Sequence, residues 1–235
     1  MGSNILALDT SSSACSVACW KSTEIVANEY VDLGRGHAEA LVPMIASVMR
    51  KADIDYFQLD AIAVTLGPGT FTGLRIGLSA ARGLALAASI PMVGISSLEV
   101  LAHATSLERN SVLAILDAGR GRLYAQSFNS SLCATVPASV VEAENIPSFL
   151  PAGSCVVVGT GIPLARPYLT KTKLDGHEGV FFDPAVSSPN AAVLAKIAST
   201  RESAKPSTLH PIYLRSPDNM FRKQESTNKN VGDNV

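Results

Sequence analysis

Residues 64–88 read Val-Thr-Leu-Gly-Pro-Gly-Thr-Phe-Thr-Gly-Leu-Arg-Ile-Gly-Leu-Ser-Ala-Ala-Arg-Gly-Leu-Ala-Leu-Ala-Ala. An apolar run over Ala61–Leu66 predicts a buried strand, which feeds a glycine loop at Gly67, Pro68 and Gly69. Thr70 and Thr72 each suit a helix N-cap, where a hydroxyl accepts an orphan amide of the first turn, and a helix is expected over Thr72–Ala88. Loop and helix start together form an amide-rich concavity at a positive dipole end, a surface suited to an anion. Gly73, Gly77, Ala81 and Ala85 recur every four residues and so share one helix face. Gly77 and Gly83 each cost about 1 kcal/mol against Ala in a helix interior, so a close neighbour is expected in compensation. That neighbour is either the protein's own core or another chain. Arg75, Arg82 and Pro91 interrupt the apolar stretch and exclude a membrane span.

Outward from this stretch, the 235 residues are 47 % hydrophobic and 17 % charged, with net charge −1. That is a globular composition with material for a sizeable core, and near-neutrality argues against a nucleic-acid grip by this chain alone. The first apolar run, Ile5–Leu8, stops at Asp9 with no basic segment before it, so a secretory leader is not expected. Cys15, Cys19, Cys133 and Cys155 form no CxxC pair; Cys15, Val17 and Cys19 alternate along one strand face and read as buried free thiols. A cytoplasmic location is the expectation.

Upstream, strands are expected over Asn4–Thr10, Cys15–Trp20 and Glu24–Val31. Asp9 therefore sits where a strand enters a hairpin, followed by Thr10, Ser11, Ser12 and Ser13. This group either holds a phosphate and its metal or satisfies the turn backbone. Glu39–Ala52 reads as a helix with Pro43 in its first turns. It carries two adjacent apolar stripes, one of Leu41, Met44, Val48 and Ala52, the other of Val42, Ile45 and Met49, a width that suggests burial on two sides. Downstream, a strand over Ile90–Ile95 and a helix over Leu98–Thr105 capped by Ser96 and Ser97 close a first lobe, 1–105.

A second lobe is expected over 106–215, joined through the polar residues 106–111. Leu113–Leu116 followed by Asp117, a turn through Gly119 and Gly121, and a strand over Leu123–Phe128 echo Ile5–Leu8, Asp9, turn, Cys15–Trp20, a sign of internal duplication. Further on come a strand over Ser139–Val141, a short helix over Glu142–Leu150, a strand over Cys155–Val158 ending in Gly159-Thr160-Gly161, and a loop over Phe181–Pro189. A helix over Asn190–Ser199 and an extended piece at Pro211–Leu214 follow. Residues 216–235 have few apolar side chains and read as a disordered tail.

Leu6-Ala7-Leu8-Asp9-Thr10-Ser11 before a hairpin, with Gly67-Pro68-Gly69-Thr70-Phe71-Thr72-Gly73-Leu74-Arg75 at a helix start, resembles the TsaB (YeaZ) family of tRNA threonylcarbamoyladenosine biosynthesis proteins. The likeness covers residues 4–105, then Leu113–Phe128 and Asn190–Ser199 more loosely; Asp117 and Tyr124 also fit. It implies an α/β, two-lobed actin/hexokinase/Hsp70-like fold with mixed sheets flanked by helices. It also implies a non-catalytic scaffold that pairs with its paralog TsaD and supports binding of TsaE, meeting tRNA only through the complex. The helices 39–52 and 72–88 would then pair with their counterparts in TsaD, through Leu41, Met44, Ile45, Val48, Met49, Leu74, Gly77, Leu78, Ala81 and Ala85, with a homodimer expected in isolation. The paralog holds a metal on two histidines four residues apart; Ser97 and Leu101 occupy those positions here, and Leu101 cannot ligate. His37, His103, His177 and His210 offer no HxxxH pair, so neither a metal nor a peptidase activity is expected.

No cofactor of its own is expected, with weak ATP or ADP and Mg at the complex the alternative. Asp9, Thr10, Ser11, Gly67, Gly69, Thr72, Arg75 and Asp117 are the residues placed nearest such a nucleotide. Arg35, Arg75, Arg120 and Arg122 either meet phosphate or are solvated. The contrasting function is an ATP-dependent kinase or phosphohydrolase of the same superfamily, with Asp9 handling a metal-bound water.

Overall fold

A computed structural model describes residues 3–106, 110–170 and 179–214. The tail 216–235, His177 and part of the 106–111 connection lie outside the described residues. The first sheet is built from β1 (Ser3–Asp9), β2 (Ala14–Ser22), β3 (Glu24–Asp32), β4 (Ala61–Gly67) and β5 (Met92–Ser96), in the order β3-β2-β1-β4-β5. β1, β2 and β3 form an antiparallel meander, and β4 and β5 add in parallel. The second sheet repeats the plan with β6 (Ser111–Gly119), β7 (Arg122–Phe128), β8 (Ser139–Glu142), β9 (Ser154–Val158) and β10 (Gly179–Asp183), in the order β8-β7-β6-β9-β10. β6–β8 are again an antiparallel meander, with β9 and β10 parallel to β6. The duplication extends to the backbone: Gly67 and Gly159, each closing or following the fourth strand of its sheet, have φ of +108° and +107°.

One face of the first sheet is covered by α1 (His37–Ala52) and α2 (Phe71–Ala88), whose inward side chains join Leu6, Leu8, Val17, Ile62 and Val64 in a single core. The other face, with Ile5, Ala7, Ala63 and Val93, is covered by α5 (Ala191–Ala198), so the second half of the chain returns to the first sheet. The second sheet has α4 (Ile162–Thr170) on one face. Its other face packs on α3 (Ser97–Ala102), which comes from the first half: Leu98, Leu101 and Ala102 pack with Val112, Ala114, Val156 and Val158. Val100 of α3 points the other way, into the core under α5. Each half thus lends a helix to the layer between the sheets.

The elements differ from their sequence expectations in a few places. Phe181–Pro189 is not all loop, because Val180 and Phe182 pack on the second core and make 179–183 a strand. α4 has no clear sequence signal, since Pro163 and Pro167 lie within or beside its first turns and mask a pattern of Ile162, Ala165 and Leu169. The expected helix 142–150 is a 3₁₀ segment, Ala143–Phe149, with Pro147 inside it. α3 stops at Ala102 rather than Thr105. Thr70, not Thr72, is the N-cap of α2, and its side chain accepts from the Gly73 amide.

The largest correction concerns the stripes on α1 and α2. Leu41, Met44, Ile45, Val48, Met49, Leu74, Gly77, Leu78, Ala81 and Ala85 are all buried in this single chain. They face the protein's own sheet and cannot form the partner surface. The small-residue stripe has an intramolecular cause. A Cβ on Gly73 would fall on the Thr10 carbonyl oxygen and one on Gly69 on that of Ser11; one on Gly77 would lie 2.5 Å from the Thr10 hydroxyl. Helix α2 lies directly on the backbone of the turn after β1.

Gly83, by contrast, faces open space. Gly73→Ala is therefore expected to cost about 3 kcal/mol or to prevent folding, since a backbone carbonyl cannot yield as a side chain does. Gly83→Ala should stabilise by about 1 kcal/mol through helix propensity. Thermal melts of the two variants check the contrast.

Candidate functional site: an inter-lobe cleft

A cleft of about 410 Å³ opens between the two sheets. The first half contributes Ser11, Ser12 and Ser13 from the turn after β1, and Gly69, Thr70 and Phe71 from the start of α2. The second half contributes Leu116, Asp117 and Ala118 from β6, Tyr124 from β7, Thr160 from the turn after β9, and Ile212 and Tyr213 from the closing segment. Of the eight residues placed near a nucleotide by sequence, Ser11, Gly69 and Asp117 line this space.

The others do not. Asp9 is fully buried. Its Oδ1 accepts from the Ser11 hydroxyl (2.7 Å), the Thr65 hydroxyl (2.5 Å) and the Ser11 amide (3.3 Å), and its buried Oδ2 has no protein partner. Thr10 is buried and donates to the Gly73 carbonyl at 2.7 Å. Gly67 packs against the Ile212 carbonyl and Leu74. Thr72 is exposed in the first turn of α2 but does not border the cleft. Arg75 lies over the Phe71 ring, 3.6 Å from its centroid, and its Nε donates to the Tyr213 hydroxyl at 3.3 Å.

Two strings of internal bonds shape the floor. The Thr70 amide donates to the Ser11 carbonyl at 2.8 Å, and the Gly73 amide to Thr70 Oγ1 at 3.3 Å. On the second lobe the Asp117 amide donates to Thr160 Oγ1 at 3.1 Å, and the Gly119 amide to Asp117 Oδ1 at 2.7 Å. The anion concavity expected at the glycine loop is thus partly filled from within.

The outer wall comes from residues the sequence singled out only as an extended piece. Ala204 bridges Met92, Arg82 donates to the carbonyls of Pro206 and Leu209, and the Ile212 amide donates to the Leu66 carbonyl at 2.7 Å. This strap delivers Ile212 and Tyr213 to the cleft mouth, where Tyr213 stacks at 5.4 Å on Phe71. Their signal was faint: two apolar residues after a proline in a polar stretch, with no periodicity.

Among the described residues no group of three or more His, Cys, Asp or Glu is placed to hold a metal. Position 97 is buried with an unpartnered hydroxyl, and Leu101 is buried in the core between the sheets. His37 is buried, with Nε2 3.2 Å from the Ala14 carbonyl. Cys15, Cys19 and Cys155 are buried free thiols, and burial pushes the Cys155 thiol up to about 12. Cys133 is free and exposed. Among the described residues no helix is long and apolar enough to cross a membrane.

Two like sheets, exchanged helices between them and a cleft at the paired turns define a duplicated α/β protein of two mixed sheets flanked by helices. The family model described as TsaD, tRNA N6-adenosine threonylcarbamoyltransferase, matches residues 31–143. The chain is 30 % identical over 230 residues to the tRNA threonylcarbamoyladenosine biosynthesis protein TsaB of Haemophilus influenzae, covering 90 % of this chain and 93 % of that one. It is 38 % identical to the Escherichia coli TsaB over 123 residues, a match spanning about half of each chain, 51 % and 52 %. The structure of YeaZ from Pseudomonas aeruginosa superposes with a TM-score of 0.79 at 28 % identity, covering 90 % of this chain and all of that one. The chain belongs to the TsaB (YeaZ) family.

Burial pushes the Asp9 carboxyl up to about 6, against the lowering effect of the Thr65 and Ser11 hydrogen bonds. The fold therefore holds this proton more tightly than the unfolded chain, where an aspartate titrates near 3.8. Below pH 3.8 both states are protonated; stability then falls as pH rises, and above pH 6 the full cost, about 3 kcal/mol, is present. Asp9→Asn keeps an Oδ1 acceptor and removes the charge. The stability difference, variant minus wild type, should rise by about 3 kcal/mol between acid and neutral pH. Denaturant titrations at about pH 3 and about pH 7.5 check it.

Proposed function

We propose that this chain is a non-catalytic subunit in the biosynthesis of threonylcarbamoyladenosine in tRNA, pairing with a TsaD paralog through the outward faces of α1 and α2. Family membership carries this reading. The pathway is that named by its relatives, the cytoplasm is the expected place, and TsaE and tRNA meet the chain as parts of the complex. The absence of catalysis is supported by burial. Position 101, where the paralog has a metal-binding histidine, is a core leucine, and Asp9 is sealed rather than presented to a substrate. The kinase or phosphohydrolase reading needs Asp9 in the cleft and finds support neither there nor in the relatives' names.

The docking surface is the side of α1 and α2 turned from the sheet. Val42 is 64 % exposed and Leu86 is 78 % exposed. Ala46, Ser79 and Gly83 on the same two helices are exposed and small. Such a surface, apolar and without bulk, allows a helix pair to approach closely. A second copy of the chain would occupy the same surface when TsaD is absent.

Gly83→Trp and Ala46→Trp leave the buried stripe intact. Each should retain the wild-type melting temperature within a few degrees while losing co-elution with TsaD. tRNA modification reconstituted from purified components should fall at least about tenfold, as for loss of an interface hot spot. Normal co-elution of both folded variants would overturn the assignment of this surface, and undiminished modification without the chain would overturn the function.

A further inference from the structure

The cleft differs from a polyphosphate site in two independent ways. None of its lining residues is Lys, Arg or His, and the one charged side chain among them is Asp117. Four backbone amides in or beside it are already donating: Ser11 to Asp9, Thr70 to Ser11, Asp117 to Thr160 and Gly119 to Asp117. A triphosphate there would sit beside the Asp117 carboxylate with no lining cation to balance it, and Arg75 is engaged by the Phe71 ring and the Tyr213 hydroxyl.

What remains is a space of about 410 Å³ with aromatic and aliphatic side chains on both walls. Phe71, Tyr213 and Ile212 stand on one side, and Tyr124 and Leu116 on the other. Hydroxyls of Ser12, Ser13 and Thr70 border it. Apolar walls with a few polar groups are the pattern of a small-molecule pocket. Aromatic faces suit a planar ring, and hydroxyl donors and acceptors suit a hydroxylated sugar.

The geometry points to a site for an uncharged nucleoside, a heterocyclic base carrying a ribose without phosphates. The ligand's base takes the aromatic walls and its ribose the serine and threonine edge. Nothing in this depends on the pairing with TsaD, and it applies to the isolated chain.

The test is a titration of the purified full-length chain with adenosine, with ATP and Mg²⁺, and with glucose, followed by calorimetry and by amide chemical shifts. Adenosine should bind saturably, ATP at least about tenfold more weakly, and glucose, which has hydroxyls without an aromatic face, not at all. Tyr124→Ala and Tyr213→Ala should each weaken adenosine at least about tenfold while their melting curves remain cooperative; Tyr124→Phe should largely restore binding. ATP binding as tight as adenosine, glucose binding as tight as adenosine, or adenosine affinity unchanged in both alanine variants would overturn the inference, as would the absence of saturable adenosine binding.

Discussion

The contact between α2 and the turn after β1 is the constraint on which the rest of this molecule depends. Backbone meets backbone there: Gly69 and Gly73 leave no room for a methyl beside the carbonyls of Ser11 and Thr10. The approach fixes where α2 begins, and with it Phe71 and Arg75. It also drives Asp9 inward, because the turn that carries Ser11 and Thr10 is clamped between the sheet and the helix. The same device recurs at Gly159, whose Cβ would strike the Ile115 carbonyl. Two such clamps, one per sheet, set the two turns that face each other across the cleft.

This packing bears on what the paired turns can offer a ligand. The turns are held by glycines and hydroxyls, and several of their amides already donate within the protein. Asp9 remains and is buried at a cost in its ionised form. The space left open is bordered by aromatic residues, two of them anchored by the Arg75 bridge.

Much of the fold was legible in the sequence because periodicity reports burial directly. The alternation through Cys15, Val17 and Cys19 and the apolar run 61–66 gave strands at the right places, and the Asp117 echo anticipated the second sheet. What periodicity does not report is which body covers a face. The stripes Leu41-Met44-Val48 and Gly77-Ala81-Ala85 are equally good signatures of a subunit contact and of an internal one. Only the sheet beneath them, with Leu6, Leu8 and Val64, decides for the latter. The cleft was harder still. Ser11, Gly69 and Asp117 sit at motif positions, whereas Ile212 and Tyr213 arrive from far along the chain on a strap held mostly by backbone bonds, which leave no trace in residue type.

The exchange of α3 and α5 between the halves bears on how the molecule moves. In a clamshell of two self-contained bodies, a linker bends and the bodies swing apart. Here α3 is packed against the second sheet through Leu98 and Leu101 and against the α5 layer through Val100. Any swing of one sheet against the other must shear this apolar seam. The exchanged helices therefore oppose a hinge between the halves in a way that a single linker would not.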